Sequence, residues 1–129
     1  MSKGKAPSRS RILATKLMYA SLSILDKTGT EVAFSDLLKI IGKTLDFDEW
    51  ESHILNNGNT RWQSTLIFYS INLVKCEYIV KKKGLWFLTD KGKEALSKFT
   101  PDELFEAAHK GYIESQQNGV VMASADADC

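Results

Sequence analysis

Large apolar residues recur at helical spacing between residues 61 and 75, the stretch around which the predicted fold is organised. One stripe repeats every three or four positions and contains Trp62, Leu66, Tyr69 and Leu73. A second apolar stripe lies beside it and contains Ile67, Ile71 and Val74. The pattern predicts a mostly buried helix over 61–75. Its polar edge is expected to hold Arg61, Gln63, Ser64, Ser70 and Asn72.

Beyond residue 77 the period changes from helical to β-type. Tyr78-Ile79-Val80 and Leu85-Trp86-Phe87-Leu88 are short runs of β-forming residues. Between them, Lys81-Lys82-Lys83-Gly84 has the composition of a hairpin turn. A helix with a polar edge followed by a basic hairpin is typical of the second half of a winged helix-turn-helix. In that architecture the helix enters the major groove of DNA, and the hairpin, or wing, lies along a phosphate backbone.

The flanking sequence predicts further elements on both sides of this unit. Ser10 is a candidate N-cap for a helix that reaches Lys27, and residues 31–34 suit an edge strand that pairs with the wing. The other predicted helices span residues 36–44, 46–55, 90–98 and 101–117. Ser35, Thr89 and Thr100 are their expected caps, and Ile54 is an expected core residue. Residues 1–10 are expected to form a disordered basic tail and residues 118–129 a flexible one. The predicted fold class is therefore mainly α with a small β-hairpin: a winged helix-turn-helix over residues 11–117, with extra N- and C-terminal helices.

The same stretch carries a motif that resembles a known family. Phe68 is followed five residues later by Leu73, then by Tyr78-Ile79, and then by Lys83-Gly84-Leu85-Trp86-Phe87-Leu88-Thr89-Asp90-Lys91-Gly92. In this spacing, residues 10–95 resemble the N-terminal winged-helix domain of Mrr-type restriction endonucleases, which act on modified DNA. Glu77 stands where that family has Gly, and Lys83 replaces an Arg, which keeps the charge but loses the planar fork. A nuclease domain follows the winged helix in that family. The resemblance therefore implies the recognition module of a restriction system without its cutting module.

Two short segments contain the candidate contacts to DNA. The start of the recognition helix (about 61–75) and the wing (about 78–88) supply Asn59, Thr60, Arg61, Gln63, Ser64, Lys81, Lys82 and Lys83. Short amides, hydroxyls and Arg at a helix start can bond phosphates or base edges. The alternative role of the helix-start residues is capping, and that of the lysines is protection of an exposed strand edge.

Charge is distributed in blocks although the net charge is only +1. Residues 1–30 carry +5, 31–60 carry −4, 61–98 carry +5 and 99–129 carry −5. Such blocks are either solvated faces or binding surfaces. The binding interpretation gains support because the second basic block coincides with the predicted wing. The basic tail is interpreted either as an arm that contacts phosphates or as a solubilising segment.

No arrangement of residues predicts catalysis. Gly42-Lys43-Thr44 resembles the end of a nucleotide-binding loop, but Leu37 stands where that motif needs its first Gly, and a helix precedes it. The carboxylates of residues 46–51 lack the Glu/Gln-x-Lys of a metal-dependent nuclease and are expected in a first helical turn. His53 and His109 lie on separate predicted helices without a catalytic partner. We therefore expect a protein that is not an enzyme and takes no cofactor or metal.

Cysteine usage and hydropathy indicate where in the cell the protein is expected. Cys76 and Cys129 suggest neither a disulfide framework nor a zinc site. No apolar run approaches the roughly 18 residues that span a bilayer, and no signal-peptide pattern is present. A cytoplasmic protein without membrane contact is expected.

Two functions follow from the sequence. The leading interpretation is a duplex-DNA-binding winged-helix module of a restriction or defence system, either sequence-tolerant or sensing modified bases, with no nuclease domain of its own. Its expected partners are double-stranded DNA and either a second copy or a separate nuclease subunit. The alternative is a winged helix for protein interaction or dimerisation without intrinsic DNA binding.

Overall fold

The computed structural model describes residues 8–118, with side chains described for residues 8–114. The helices are α1 (Arg9–Thr28), α2 (Phe34–Thr44), α3 (Glu49–Ser52), α4 (Arg61–Lys75), α5 (Asp90–Lys98) and α6 (Pro101–Asn118). The strands are β1 (Val32–Ala33), β2 (Ile79–Lys82) and β3 (Leu85–Leu88). The fold is mainly helical with a small antiparallel sheet. The predictions for residues 1–7 and 119–129 lie outside the described residues.

Helix α1 is at the centre of the core. Its wholly buried side chains include Leu13, Leu17 and Leu22, and it packs against α2, α4, α5, α6 and β3. The Ser8 side chain accepts a hydrogen bond from the Arg11 backbone N–H, so the helix starts at Arg9. The predicted cap at Ser10 was therefore wrong, as was the assignment of residues 8–10 to a disordered tail. Ser8, two residues earlier, has the same capping chemistry as Ser10 and satisfies one of the free N–H groups of the actual first turn.

The sheet has the strand order β1-β3-β2. Val32 of β1 pairs with Trp86 of β3, so the predicted pairing of the first strand with the hairpin is confirmed. Lys82 pairs with Leu85 across a two-residue turn in which Lys83 and Gly84 both have positive φ, at 52° and 80°. Positive φ at both central positions defines a type I′ turn, whose twist matches that of the strands.

Helix α4 has the predicted bounds, but its buried face differs from the prediction. Ser70 and Asn72, predicted at the polar edge, are 0% and 4% exposed. Ile67, Ile71 and Val74, predicted beside the core stripe, are exposed instead. The pattern is apolar on both sides of the helix, and tertiary packing on α1 and α6 selects the side with Trp62, Leu66 and Leu73. The buried Ser70 hydroxyl donates to the Ile67 carbonyl oxygen at 2.7 Å, which makes its burial tolerable.

The bounds of two further predicted helices were wrong. The helix predicted over 46–55 is confined to α3, because Asp48 forms a capping box with Glu51 and the chain becomes extended at His53. Ile54, predicted in the core, is 64% exposed and forms an isolated β-bridge with Thr60. Helix α2 starts one residue before Ser35, which is therefore not its cap. The ring of Phe34 stacks on Trp86, which fixes the first turn of α2 against the sheet.

The end of α4 and the start of α5 are joined through backbone groups. The Tyr78 N–H bonds to the Leu73 carbonyl oxygen and the Glu77 N–H to that of Val74, the two bonds of a Schellman motif. Glu77 has φ 64°, in the left-handed region. The Thr89 hydroxyl contacts the carbonyl oxygens of residues 77 and 78 and accepts the Gly92 N–H, so its predicted capping role is confirmed. The predicted Thr100 capping box is also present.

Candidate nucleic-acid interface

The outward face of α4 is a mostly apolar surface beside the β2–β3 hairpin. We define the exposed stripe as Ser64, Ile67, Phe68, Ile71, Val74 and Lys75, which recur at helical spacing away from the core. Phe68 is 61% exposed and is the one aromatic among the large exposed apolar side chains of the described residues. The sequence prediction placed the apolar residues of this stripe inside and therefore missed the surface. Contiguous exposed apolar groups of this kind mark binding sites.

The predicted contacts at the start of α4 are largely engaged within the protein. The Thr60 hydroxyl accepts the Gln63 N–H, and the Gln63 side-chain oxygen accepts the Thr60 N–H, which together form a capping box. The Asn57 side chain donates to the Ser64 hydroxyl at 3.3 Å and accepts the Asn59 N–H at 3.0 Å. The capping alternative therefore describes Thr60 and Gln63, while Asn59 and Ser64 stay partly exposed in the same turn.

Arg61 is held against α3 by Trp50. Its Nε donates to the Trp50 carbonyl oxygen at 3.0 Å, and its guanidinium lies 4.5 Å from the centroid of the Trp50 ring. The guanidinium of Arg9 lies over the same ring at 4.3 Å and pairs with Asp48 at 3.3 Å. Trp50 thus orients two guanidinium groups. No local pattern in the sequence could show this, because the three residues come from three separate helices.

The three lysines of the hairpin have unequal positions. Lys82 and Lys83 are exposed at the turn. The Lys81 ammonium donates to the Ser70 hydroxyl at 2.6 Å and lies 4.8 Å from the centroid of the Trp86 ring. Partial burial of this ammonium lowers the pKa of Lys81 below its ordinary value. All three lysines are exposed as residues, but the ammonium of Lys81 is bound to Ser70 within the protein.

The hairpin and α3 flank α4 on opposite sides. Arg61 contacts α3, whereas Ser70 contacts β2 through Lys81. These two α4 residues are nine positions apart, which at about 3.6 residues per turn places them half a turn from each other. The exposed stripe lies between the two flanks, so the predicted site residues form two groups on either side of an apolar centre.

The two flanks differ in charge. On the α3 side Arg9 pairs with Asp48 and Lys16 pairs with Glu51 at 3.1 Å, whereas Arg61 is bound to the carbonyl oxygen of Trp50. Within residues 8–114, none of the ion pairs involves Lys81, Lys82 or Lys83. Outside these ion pairs, the hairpin side therefore carries three cations and the α3 side carries Arg61, so the hairpin side is the more positive of the two flanks. Such charge favours an anionic partner.

The described residues contain no cluster of His, Cys, Asp and Glu that could hold a metal ion. None of the helices in the same part of the chain has both the length and the apolar character that a bilayer crossing requires. Comparison of the chain with protein-family models, with curated proteins and with solved structures yields no match.

Proposed function

We propose that this chain is a duplex-DNA-binding module with winged-helix architecture. In this proposal α4 enters the major groove, and Lys82 and Lys83 bind the phosphate backbone beside it. The observation that carries the proposal is the pair of exposed lysines, outside any ion pair of the described residues, on a tight turn next to the outward face of α4. Phosphate contacts of this kind position a protein on a duplex without reading its sequence.

The order of elements supports the architecture. A helix and a short strand precede the helices α2 to α4, and a two-stranded hairpin follows α4 and closes a sheet with the first strand. Positions of the Mrr-like motif connect these elements. Glu77 ends α4, and Thr89 and Gly92 join the start of α5 to that end. We therefore retain, as part of the proposal, a role in a restriction-type system in which cutting is done by a separate nuclease domain or subunit, and a cytoplasmic location.

The apolar exposed stripe gives a physical basis for sensing modified bases. In the major groove, apolar side chains discriminate bases by contact with a C5-methyl group. Ile67, Phe68 and Ile71 present such contacts at the centre of the proposed interface. A duplex with 5-methylcytosine is therefore expected to bind more tightly than the plain duplex of the same sequence.

The test is binding to a fluorescent duplex, with and without 5-methylcytosine, across a salt series. The double variant Lys82→Gln/Lys83→Gln should reduce the slope of log K against log salt by about 0.9 for each phosphate that the variant no longer neutralises. The matched control is Lys93→Gln/Lys98→Gln on α5, which removes the same charge from a helix that packs on α1. Absence of binding at low salt, or equal weakening in both double variants, would refute the proposal.

The exposed stripe also supports a second candidate, a module for protein interaction or dimerisation. Four large apolar side chains exposed on one helix resemble the centre of a protein interface more than a solvated face. Under this alternative the protein should associate in a concentration-dependent way that Phe68→Gln weakens, and it should show no salt-sensitive binding to DNA. Analytical ultracentrifugation beside the salt series separates the two candidates.

A further inference from the structure

We propose that Lys81 is a positioning residue that fastens the β2–β3 hairpin to α4 through Ser70, and that phosphate contact is left to Lys82 and Lys83. The fastening itself rests on contacts within the protein, whereas its effect on DNA binding rests on the proposed function. Under this proposal the three consecutive lysines have different roles.

Strand register separates these roles. In β2, side chains alternate between the two faces of the sheet. Lys81 pairs with Trp86, whose side chain is buried, whereas Lys82 pairs with Leu85 at the turn. Lys81 therefore projects from the same face of the sheet as buried Ile79, toward α4, and Lys82 projects from the opposite face.

The Ser70 hydroxyl is held in place to accept a hydrogen bond from the Lys81 ammonium. Ser70 is wholly buried, and its hydroxyl proton is used in the bond to the Ile67 carbonyl oxygen. An oxygen lone pair is left for Lys81, whose Nζ lies 2.6 Å away. The Trp86 ring below the ammonium adds a cation–π contact. Desolvation, which lowers the pKa of Lys81, is the cost of drawing this charge inward.

This contact gives the hairpin a second attachment to α4. The first is covalent, through the tight turn at Glu77 and Tyr78. Lys81 lies three residues further along, close to the tip, and joins β2 to the middle of α4. Two attachments fix the angle of the hairpin, and with it the distance of Lys82 and Lys83 from the exposed stripe. Phosphate contacts made at a fixed distance from a groove-reading helix determine the register of the protein on the duplex.

The fastening is tested first without DNA, by amide hydrogen exchange in the β2–β3 ladder. Lys81→Met removes the ammonium and keeps the apolar stem, and Ser70→Ala removes the acceptor from the other side. Both should raise exchange of the ladder amides by about tenfold, the effect expected when one charge-assisted hydrogen bond is removed. Lys82→Met is the matched control and should exchange as the wild type does. The proposal is wrong if either Lys81→Met or Ser70→Ala exchanges like the control.

The same variants are then compared on duplex DNA across a salt series. Lys81→Met and Ser70→Ala should weaken binding at every salt concentration without changing the slope, because both variants keep every phosphate-binding side chain. Lys82→Met should reduce the slope by about 0.9. A reduced slope for Lys81→Met would show that Lys81 itself binds phosphate, and would overturn its positioning role. If the wild type binds no DNA, the proposed function fails, while the exchange experiment still decides whether the hairpin is fastened.

Discussion

Glycine at position 77 should stabilise the protein. Glu77 has φ 64° in the turn that ends α4; its N–H donates to the Val74 carbonyl oxygen, and its own carbonyl oxygen accepts from the Thr89 hydroxyl. A left-handed conformation costs an ordinary residue about 1–2 kcal/mol, and glycine escapes this cost. Glycine in turn loses about 0.5–1 kcal/mol through its greater freedom in the unfolded chain. The net gain expected for Glu77→Gly is therefore about 0.5–1 kcal/mol.

Thermal and urea denaturation measure this gain. For a domain of this size, a change of about 1 kcal/mol moves Tm by several degrees, about 2–6 °C. The urea midpoint should rise with an unchanged m-value, because the surface exposed on unfolding stays the same. The control is Glu77→Ala, which removes the carboxylate and keeps the Cβ atom. Its stability should remain within about 0.5 kcal/mol of the wild type.

Two results would refute this reasoning. If Glu77→Ala stabilises as much as Glu77→Gly, the gain comes from removing a negative charge at the C-terminal end of a helix. If Glu77→Gly lowers Tm, the backbone at this position carries no strain for glycine to relieve. The same residue is the departure from the Mrr-like motif noted in the sequence. A positive result would therefore explain why glycine suits that position of the motif.

Three further predictions concern single positions. Gly92→Ala should destabilise by about 1–3 kcal/mol in denaturant melts, since its Cβ would lie 2.2 Å from the Tyr78 carbonyl oxygen. Gly42→Ala on α2 should instead stabilise by up to about 1 kcal/mol, because its Cβ would make an ordinary contact with the Trp62 ring at 3.7 Å. Ser21→Ala should be neutral or stabilise by about 1 kcal/mol in the same melts, because the buried Ser21 hydroxyl has no partner among the described residues. By NMR, Lys81 should titrate below the ordinary lysine value of about 10.4. Between that lowered pKa and about 10.4 only the unfolded chain binds the proton, so wild-type stability should rise with increasing pH across this window. Lys81→Met should abolish the rise.

Local signals in the sequence were sufficient for most element boundaries. The bounds of α4 follow from an apolar period and a capping residue at Thr60, both readable within fifteen residues. The Thr100 box and the caps at Thr89 and Thr60 are likewise local. The pairing of β1 with the hairpin is long-range, yet it could be predicted because a short strand has few possible partners.

The orientation of side chains could not be predicted, because it depends on contacts between distant elements. Both sides of α4 are apolar, so only the position of α1 and α6 decides that Phe68 faces solvent and Ser70 does not. The inward direction of Lys81 depends on strand register, which the turn sets, and the composition of residues 81–84 did not show that only Lys83 and Gly84 would form that turn. The contact of Arg61 with Trp50 joins α4 to α3 and leaves no periodic signal.

The central position of α1 has a consequence for biosynthesis. Its buried leucines are covered by α4, α5 and α6, which follow it in the chain. At about 5–20 residues per second, α6 begins to be synthesised about 4–15 s after α1 is complete. During that interval the apolar face of α1 lacks the helices that bury it in the folded protein. Only a chaperone or the ribosome surface can then shield it from water. Slower translation of the segment between α1 and α6 should therefore increase aggregation of the nascent chain.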